Sequence, residues 1–151
     1  MNLQEELKAL KERIAELEEQ AKKEDGFPQK DDTYWYINSY GVVSDETWEN
    51  HLTDTDMFKI GNVFKTEEQA EFAAEKLRVE TELRKFSRPF DEDDNNYFIE
   101  LSMFDKTLTI DDDECWQIQG TIYFESTKIA NEAIDTIGAE RIKKYIFGVE
   151  D

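Results

Sequence analysis

The sequence predicts an α+β protein with an N-terminal coiled-coil helix and two pseudo-repeated, strand-rich units that form an antiparallel sheet with helices on one face. Three observations predict it: a heptad stripe near the N-terminus, short strand patterns that twice lead into a helix, and an offset of about 60 residues between the two copies. We therefore divide the chain into a heptad helix at 1–24, a linker at 25–32 and an α+β domain at 33–151, made of units 33–88 and 96–149.

The first 24 residues carry a heptad repeat of apolar residues. The d positions are Leu3, Leu10 and Leu17, and the a positions are Leu7, Ile14 and Ala21. In a parallel dimer this register places Glu6 opposite Lys11. It also places Arg13 opposite Glu18, so both flanking pairs combine opposite charges. We expect a homodimer through residues 3–21; the alternative is that the helix packs its stripe on its own domain.

The first unit has the pattern of strands followed by a helix. Strand patterns at 34–40 and 42–48 predict a hairpin, and the pattern at 57–64 predicts a third strand. Thr66 begins a capping-box sequence, in which the hydroxyl accepts a backbone N–H three residues further on. We therefore expect a helix from about 66 to 86.

The second unit follows the same order. Its predicted strands lie at 97–104, 107–110 and 115–124, and its predicted helices lie at 127–137 and 139–146. Ser126 is the expected cap of the first of these helices, and Gly138 is its expected end. Residues 111–114 fall in a predicted loop between strands. The single cysteine and all three tryptophans are expected in the core: Cys115, Trp35, Trp48 and Trp116.

The two units match at an offset of 60 positions. The matching residues of the first copy are Phe64, Thr66, Ala70, Ala73 and Leu77, and those of the second are Phe124, Ser126, Ala130, Ala133 and Ile137. Each pair has similar chemical character, which indicates duplication of one structural unit. The pattern leaves open whether the two units share one continuous sheet.

The chain is strongly acidic. Its 37 Asp and Glu residues against 18 Lys and Arg residues give a net charge of −19, and −17 of this lies outside residues 1–24. A surface of this sign repels nucleic acid and attracts basic partners, so we expect no direct nucleic-acid binding. No apolar run is long enough for a membrane span, and the N-terminus shows no secretory-signal pattern. We therefore expect a cytoplasmic protein.

The acidic runs do not form a defined metal-binding pattern. Asp91, Asp93 and Asn95 occupy positions 1, 3 and 5 of a calcium-loop pattern. Asn96 replaces its glycine, and Ser102 replaces its bidentate glutamate, so the pattern fails at the most important ligand. One histidine, one cysteine and six isolated glycines form no recognisable nucleophile, thiolate cluster or phosphate loop. We expect a non-enzymatic protein that holds no metal and no cofactor.

Two segments carry spaced motif residues. Residues 60–86 contain a Gly-Asn-x-Phe-x-Thr-x-Glu-x-Ala segment, and residues 120–149 contain a Tyr-Phe pair followed by spaced Ala, Ile-Gly and Lys-Tyr residues. The chain resembles small, mostly uncharacterised proteins of phages and prophages of Gram-positive bacteria, roughly over residues 33–149. The resemblance implies no functional residue. It does imply a phage origin. Phage genes of this size often encode inhibitors of host defence, including anti-CRISPR and anti-restriction proteins that present carboxylates in place of phosphates.

Two functional hypotheses follow. The first is a non-enzymatic, phage-derived inhibitor that binds the basic channel of a host defence nuclease through a DNA-mimicking acidic surface. Its candidate contacts are Asp91, Glu92, Asp93, Asp94, Asp111, Asp112, Asp113 and Glu114, with a second surface at Asp45, Glu46, Asp54 and Asp56. The alternative is a phage coiled-coil assembly or adaptor protein whose acidity only confers solubility. Its dimerisation residues are Leu3, Leu7, Leu10, Ile14 and Leu17.

Overall fold

The computed structural model describes residues 2–150, except for the side chains of residues 22–25, and it is an α+β protein. Within this range the chain forms, in order, α1 (Leu3–Asp25), β1 (Thr33–Ile37), β2 (Val43–Thr47), α2 (Leu52–Lys59), α3 (Glu67–Arg84), β3 (Asn96–Leu101), β4 (Leu108–Asp113), α4 (Thr127–Ile137) and α5 (Ala139–Tyr145). None of these helices has the length and the apolar character that crossing a membrane requires.

The chain divides into two compact units, the first ending at Glu71 and the second beginning at Phe72, so the division falls within α3. By contrast, the boundary between the predicted units 33–88 and 96–149 lies after this helix in the chain. Each unit has its own two-stranded antiparallel sheet, β1–β2 in the first and β3–β4 in the second. The described strands therefore form two small sheets, which answers the question that the sequence pattern left open.

Local capping explains why α1 begins at Leu3. The side chain of Asn2 accepts the N–H of Glu5 at 2.9 Å, and the Glu5 carboxylate accepts the N–H of Asn2 at 3.2 Å. The apolar stripe of α1 is exposed, with exposed fractions from 47% to 83% for its members Leu3, Leu7, Leu10, Ile14 and Leu17. The alternative prediction, that the helix packs this stripe on its own domain, is therefore wrong.

The first predicted hairpin is confirmed. β1 and β2 pair in a register that places Ile37 opposite Val43. Asn38 shapes the connecting turn, because its Oδ1 accepts the N–H of Tyr40 at 2.9 Å and the N–H of Val42 at 3.1 Å. Both strands are shorter than the predicted segments, since the turn occupies residues 38–42.

Aromatic packing holds the first unit together. Tyr34 is fully buried and Trp48 is 5% exposed, and their rings meet edge to face with centroids 5.8 Å apart. Phe58 also meets the Trp48 ring edge to face, with centroids 6.1 Å apart. The prediction that Trp48 is a core residue is confirmed, whereas Trp35 is only half-buried.

The predicted third strand at 57–64 is wrong. Residues Leu52–Lys59 form α2, and only Phe64 pairs with a strand, through two backbone hydrogen bonds to Trp35 of 2.9 and 2.8 Å. The helix forms because the Asp54 carboxylate accepts the N–H of His51 at the helix start, at 3.2 Å. The helix ends at Lys59, and Gly61 follows two residues later with a positive φ of 79°, which suits glycine.

The predicted capped helix of the first copy is confirmed as α3. The Thr66 hydroxyl accepts the N–H of Gln69 at 3.2 Å. The Gln69 side chain reaches back to the N–H of Lys65, also at 3.2 Å, one residue before the cap. The helix ends at Arg84, where tighter i to i+3 hydrogen bonds follow, and Phe86 donates to Leu83 at 3.0 Å.

β3 and β4 form the second hairpin, as predicted, with Ile99 opposite Ile110 and Leu101 opposite Leu108. One face of this hairpin packs on the core of the second unit. The pairing continues beyond the predicted end at position 110, so the prediction that 111–113 is a loop is wrong. The pairing extends because Asn96, fully buried, lies opposite Asp113 and donates from its side chain to the Asp113 carbonyl at 3.1 Å.

The predicted strand at 115–124 is also wrong. The Asp113 carboxylate accepts the N–H groups of Cys115 and Trp116, both at 2.9 Å, which turns the chain away from the ladder. Only Tyr123 and Phe124 pair, as isolated bridges. Cys115 is exposed and Trp116 is 75% exposed, so the prediction that both are core residues is wrong.

The two C-terminal helices are confirmed. The Ser126 hydroxyl caps α4 by accepting the N–H of Ile129 at 3.1 Å, and Gly138, at a φ of 104°, ends it. The buried core of the second unit comes from α3, α4, α5 and the bridge residue: Val79, Leu83, Phe124, Ala130, Ala133, Ile137 and Ile142. Helices thus cover one face of β3–β4 in this unit, in agreement with the predicted arrangement.

An ion-pair network joins α5 to α3 within the second unit. The Arg141 guanidinium contacts the carboxylates of Glu75 at 2.8 Å and Glu82 at 2.9 Å. These hydrogen bonds raise the pKa of Arg141, and together with Arg78 they lower the pKa of Glu75. The network is half-exposed, so it orients the two helices more than it stabilises them.

The two predicted copies share local geometry. Phe64 bridges to Trp35 of β1, and Phe124 bridges to Tyr97 of β3. Each bridge is followed by a hydroxyl cap and then by a fully buried alanine, Ala70 or Ala130. The copies differ in that α2 is present only in the first and α5 only in the second. The matched residues Leu77 and Ile137 also differ, because Leu77 is 54% exposed and Ile137 is 5% exposed. The duplication itself stays a prediction.

Candidate acidic protein interface

The register of the second hairpin brings the two predicted acidic segments together. Residues 91–94 precede β3 and residues 111–114 end β4, and the pairing of Asn96 with Asp113 places both at the same end of the hairpin. We call this surface the acidic edge. Its members are Asp91, Glu92, Asp93, Asp94, Asp111, Asp112, Asp113 and Glu114.

Asn96 ties the two segments of the acidic edge to each other. Its side-chain amide donates to the carbonyls of Asp91 and Asp94, both at 2.9 Å, as well as to Asp113 at 3.1 Å. Its Oδ1 accepts the N–H of Asp91 at 2.7 Å and the guanidinium of Arg88 at 2.8 Å. Because the residue is fully buried, these bonds fix the backbone on which the carboxylates stand.

Arg88 also bonds to the backbone on both sides of segment 91–94. Its guanidinium donates to the carbonyls of Asn95 at 2.7 Å and Pro89 at 3.0 Å, and to Asn96 Oδ1. Its backbone N–H bonds to the Tyr123 carbonyl at 2.9 Å. These acceptors of the guanidinium are all neutral oxygens.

The carboxylates of the acidic edge differ in their surroundings. Seven of the eight are on exposed residues, and Asp113 is half-buried. The backbone N–H groups of Trp116 and Cys115 bond to Asp113 and lower the pKa of its carboxyl group. Asp113 therefore shapes the turn that follows β4. An open depression of about 750 Å³ adjoins the edge, lined by Arg88, Phe90, Glu92, Glu114, Cys115 and Gln117.

The second predicted acidic surface loses one of its members. Asp45, Glu46 and Asp56 are exposed, but Asp54 is only 3% exposed, so its prediction as a partner contact is wrong. Asp45 and Glu46 are neighbours on β2 and point to opposite faces of the hairpin. Asp45 and Glu46 therefore do not present their carboxylates on one face of the first hairpin.

Asp54 is instead a structural acceptor. Its Oδ1 accepts the Tyr34 hydroxyl at 2.6 Å, and its Oδ2 accepts the N–H of Glu49 at 3.0 Å and of His51 at 3.2 Å. Burial acts to raise the pKa of Asp54, but the hydrogen bonds from Tyr34, Glu49 and His51 outweigh it and lower that pKa. Burial and the neighbouring Asp54 carboxylate raise the pKa of Tyr34.

Sequence reasoning missed the two residues that organise these surfaces, Asn96 and Tyr34. The signal for Asn96 was its place between an acidic run and an alternating strand pattern, where an amide can bind backbone on both sides. Tyr34 gave a weaker signal, because a tyrosine in a strand is common and its partner Asp54 lies 20 residues away.

Neither surface has the arrangement of a metal site. Among the side chains that the structure describes, no group of three or more His, Cys, Asp or Glu residues is placed to hold a metal ion. The acidic edge presents seven exposed acidic residues beside the half-buried Asp113. The chain matches no protein-family model, and comparisons with curated proteins and with solved structures give no significant match.

Proposed function

We propose that the protein is a non-enzymatic inhibitor of a host nucleic-acid-targeting defence nuclease, of the anti-CRISPR or anti-restriction type, and that it binds through the acidic edge. The single observation that carries the proposal is the meeting of segments 91–94 and 111–114 on one buried scaffold around Asn96. In this proposal the protein acts in the cytoplasm of an infected or lysogenic bacterial host.

Charge supports this proposal. The net charge of −17 outside residues 1–24 would steer the protein toward basic surfaces, and a channel that binds nucleic acid is the most basic surface on a nuclease. Carboxylates presented from a fixed backbone resist rearrangement when a partner binds, which lowers the entropic cost of association. The phage resemblance of residues 33–149 supports the choice of a defence nuclease as the partner.

Charge reversal at the acidic edge should abolish most of the inhibition. Glu92, Asp93, Asp112 and Glu114 suit this test because their side chains take no part in the hydrogen bonds that shape the edge. Changing all four to lysine should weaken inhibition by about 100-fold, since each exposed pair contributes up to about 1 kcal/mol. The measurement is DNA cleavage by purified CRISPR effector and restriction nucleases of a Gram-positive host.

The matched control carries the same change in net charge elsewhere on the second unit. Glu100, Glu125, Glu132 and Asp135 are exposed, and reversing these four should leave inhibition within a few-fold of that of the unchanged protein. Binding should also weaken steeply between about 0.1 M and about 1 M salt, as the screening length falls from about 10 Å to about 3 Å. Equal inhibition by the two variants, or none by the unchanged protein, would contradict the proposal.

A second candidate function is that of a phage coiled-coil assembly or adaptor protein. The exposure of the apolar stripe of α1 favours it, because a helix that binds nothing gains no stability from such a stripe. In this case deletion of residues 1–24 abolishes activity. In the inhibitor proposal the same deletion leaves the acidic edge intact, so inhibition persists in the same cleavage assay.

We also propose that units 33–88 and 96–149 arose by duplication. The paired bridges at Phe64 and Phe124 and the paired caps at Thr66 and Ser126 support this.

A further inference from the structure

The apolar stripe of α1 needs a covering partner. Leu3, Leu7, Leu10, Ile14 and Leu17 are each about half exposed or more within the part of the chain that the structure describes. Each fully buried leucine side chain contributes about 1.5–3 kcal/mol relative to an exposed one. Most of the stability of a helix in a protein comes from packing of its apolar face, which the exposed stripe of α1 lacks in the single chain.

We propose that α1 of a second copy covers this stripe, in a parallel, in-register, two-stranded coiled coil. The spacing fits this occupant, because leucine fills all three d positions and Ile14 fills the central a position, a combination that favours two strands. In this arrangement each stripe residue packs against its own counterpart. The inference goes beyond the proposed function and concerns the protein without any other partner.

Charge complementarity selects the parallel orientation. In the parallel register Glu6 meets Lys11 of the second copy, and Arg13 meets Glu18 of the second copy. The two-fold symmetry repeats each contact, so all the flanking charge pairs named here attract. In the single chain the Arg13 guanidinium contacts the Glu16 carboxylate at 3.2 Å. Because this ion pair is exposed, it competes little with the pairing of Arg13 and Glu18 of the second copy.

The antiparallel alternative has the opposite electrostatics. Full overlap of the stripes in that orientation pairs Leu10 with Ile14 and Leu7 with Leu17 of the second copy. It then brings Lys11 near its own counterpart and Arg13 near its own counterpart, and both contacts repel. The helix sequence therefore favours parallel pairing by attraction and disfavours antiparallel pairing by repulsion.

Cysteine cross-linking distinguishes the orientations. The variant Leu3→Cys, in a Cys115→Ser background that removes the exposed native thiol, should form an interchain disulfide in nearly all molecules on mild oxidation. In the antiparallel coil Leu3 lies opposite Ala21, about 27 Å from its counterpart, well beyond the reach of a disulfide. The control Glu12→Cys, on the outer face of the helix, should cross-link poorly. Equal cross-linking of the two variants would overturn the parallel arrangement.

Sedimentation equilibrium tests association itself. The unchanged protein, of 17.8 kDa, should sediment as a dimer at micromolar concentration, and Leu10→Glu with Ile14→Glu should sediment as a monomer. Ala9→Glu with Ala15→Glu adds the same charge on the outer face and should remain dimeric. Near-ultraviolet circular dichroism checks that the remaining fold is unchanged in each variant. A monomeric unchanged protein, or a dimeric Leu10→Glu, Ile14→Glu variant, would overturn the proposal.

Discussion

Replacement of Asp54 by alanine is expected to lower the free energy of unfolding of the first unit by about 3 kcal/mol. The change removes the acceptor of the fully buried Tyr34 hydroxyl and of two backbone N–H groups at the start of α2. A buried donor left without a partner costs about 1–3 kcal/mol, and the loss of a helix cap costs about 1 kcal/mol.

Urea unfolding followed by tryptophan fluorescence measures this effect, because Trp35 and Trp48 both lie in the first unit. Asp56→Ala is the matched control. It changes an exposed carboxylate of the same helix and should alter the free energy by less than about 0.5 kcal/mol. If the two variants were equally stable, the structural role of Asp54 would be refuted.

Acid should remove the contribution of Asp54. Its pKa is lower in the folded state than in the unfolded chain, so ionised Asp54 stabilises the fold fully above the unfolded value of about 4. This stabilisation falls as the pH drops through the lower, folded-state pKa. The difference in unfolding free energy between the unchanged protein and Asp54→Ala should therefore be constant near neutral pH and shrink below about pH 4. A difference that grew on acidification would contradict the direction of the shift.

Asn96→Ala is the second change with a large expected effect, a loss of about 3 kcal/mol in the second unit. The substitution leaves the Asp91 N–H and three backbone carbonyls without their side-chain partner, and it removes one acceptor of Arg88. Since some of these groups can reach water, the loss corresponds to about one or two unsatisfied buried groups. Urea unfolding followed by far-ultraviolet circular dichroism measures it.

The neighbouring substitution Asn95→Ala provides the control, because Asn95 enters the network through its backbone carbonyl, which alanine retains. Hydrogen exchange at the amide of Asp91 should accelerate in Asn96→Ala and stay unchanged in Asn95→Ala. In the inhibitor proposal, inhibition should weaken as well, since a loosened edge must be ordered on binding. Equal stability and equal exchange in both variants would show that Asn96 does not hold the acidic edge.

Features set by neighbouring residues were predictable from the sequence. The caps at Thr66 and Ser126 act on backbone groups three residues away, and the helices that they begin were found where predicted. The hairpins were predictable for the same reason, because the turn after β1 is shaped by Asn38, which bonds within its own turn.

Features set by distant partners were not predictable. The apolar residues of segment 57–64 predicted a strand, but residues 57–59 belong to α2, whose Asp54 also binds the buried Tyr34 hydroxyl from 20 residues earlier. The prediction of 111–113 as a loop rested on three consecutive aspartates, whereas the pairing with β3 is decided by Asn96 across the hairpin. The acidic segments were candidates from their composition, but their meeting on one surface depends on this register.

The uncovered stripe of α1 belongs to a chain of net charge −19, so a dimer carries −38. At about 0.01 M salt the screening length of about 30 Å lets two such bodies repel each other, whereas at about 0.15 M it falls to about 8 Å. Pairing of α1 should therefore tighten as salt rises over this range, while attraction to a basic partner weakens. If both proposals hold, dilute buffer favours single copies bound to a basic partner, and physiological salt favours paired copies.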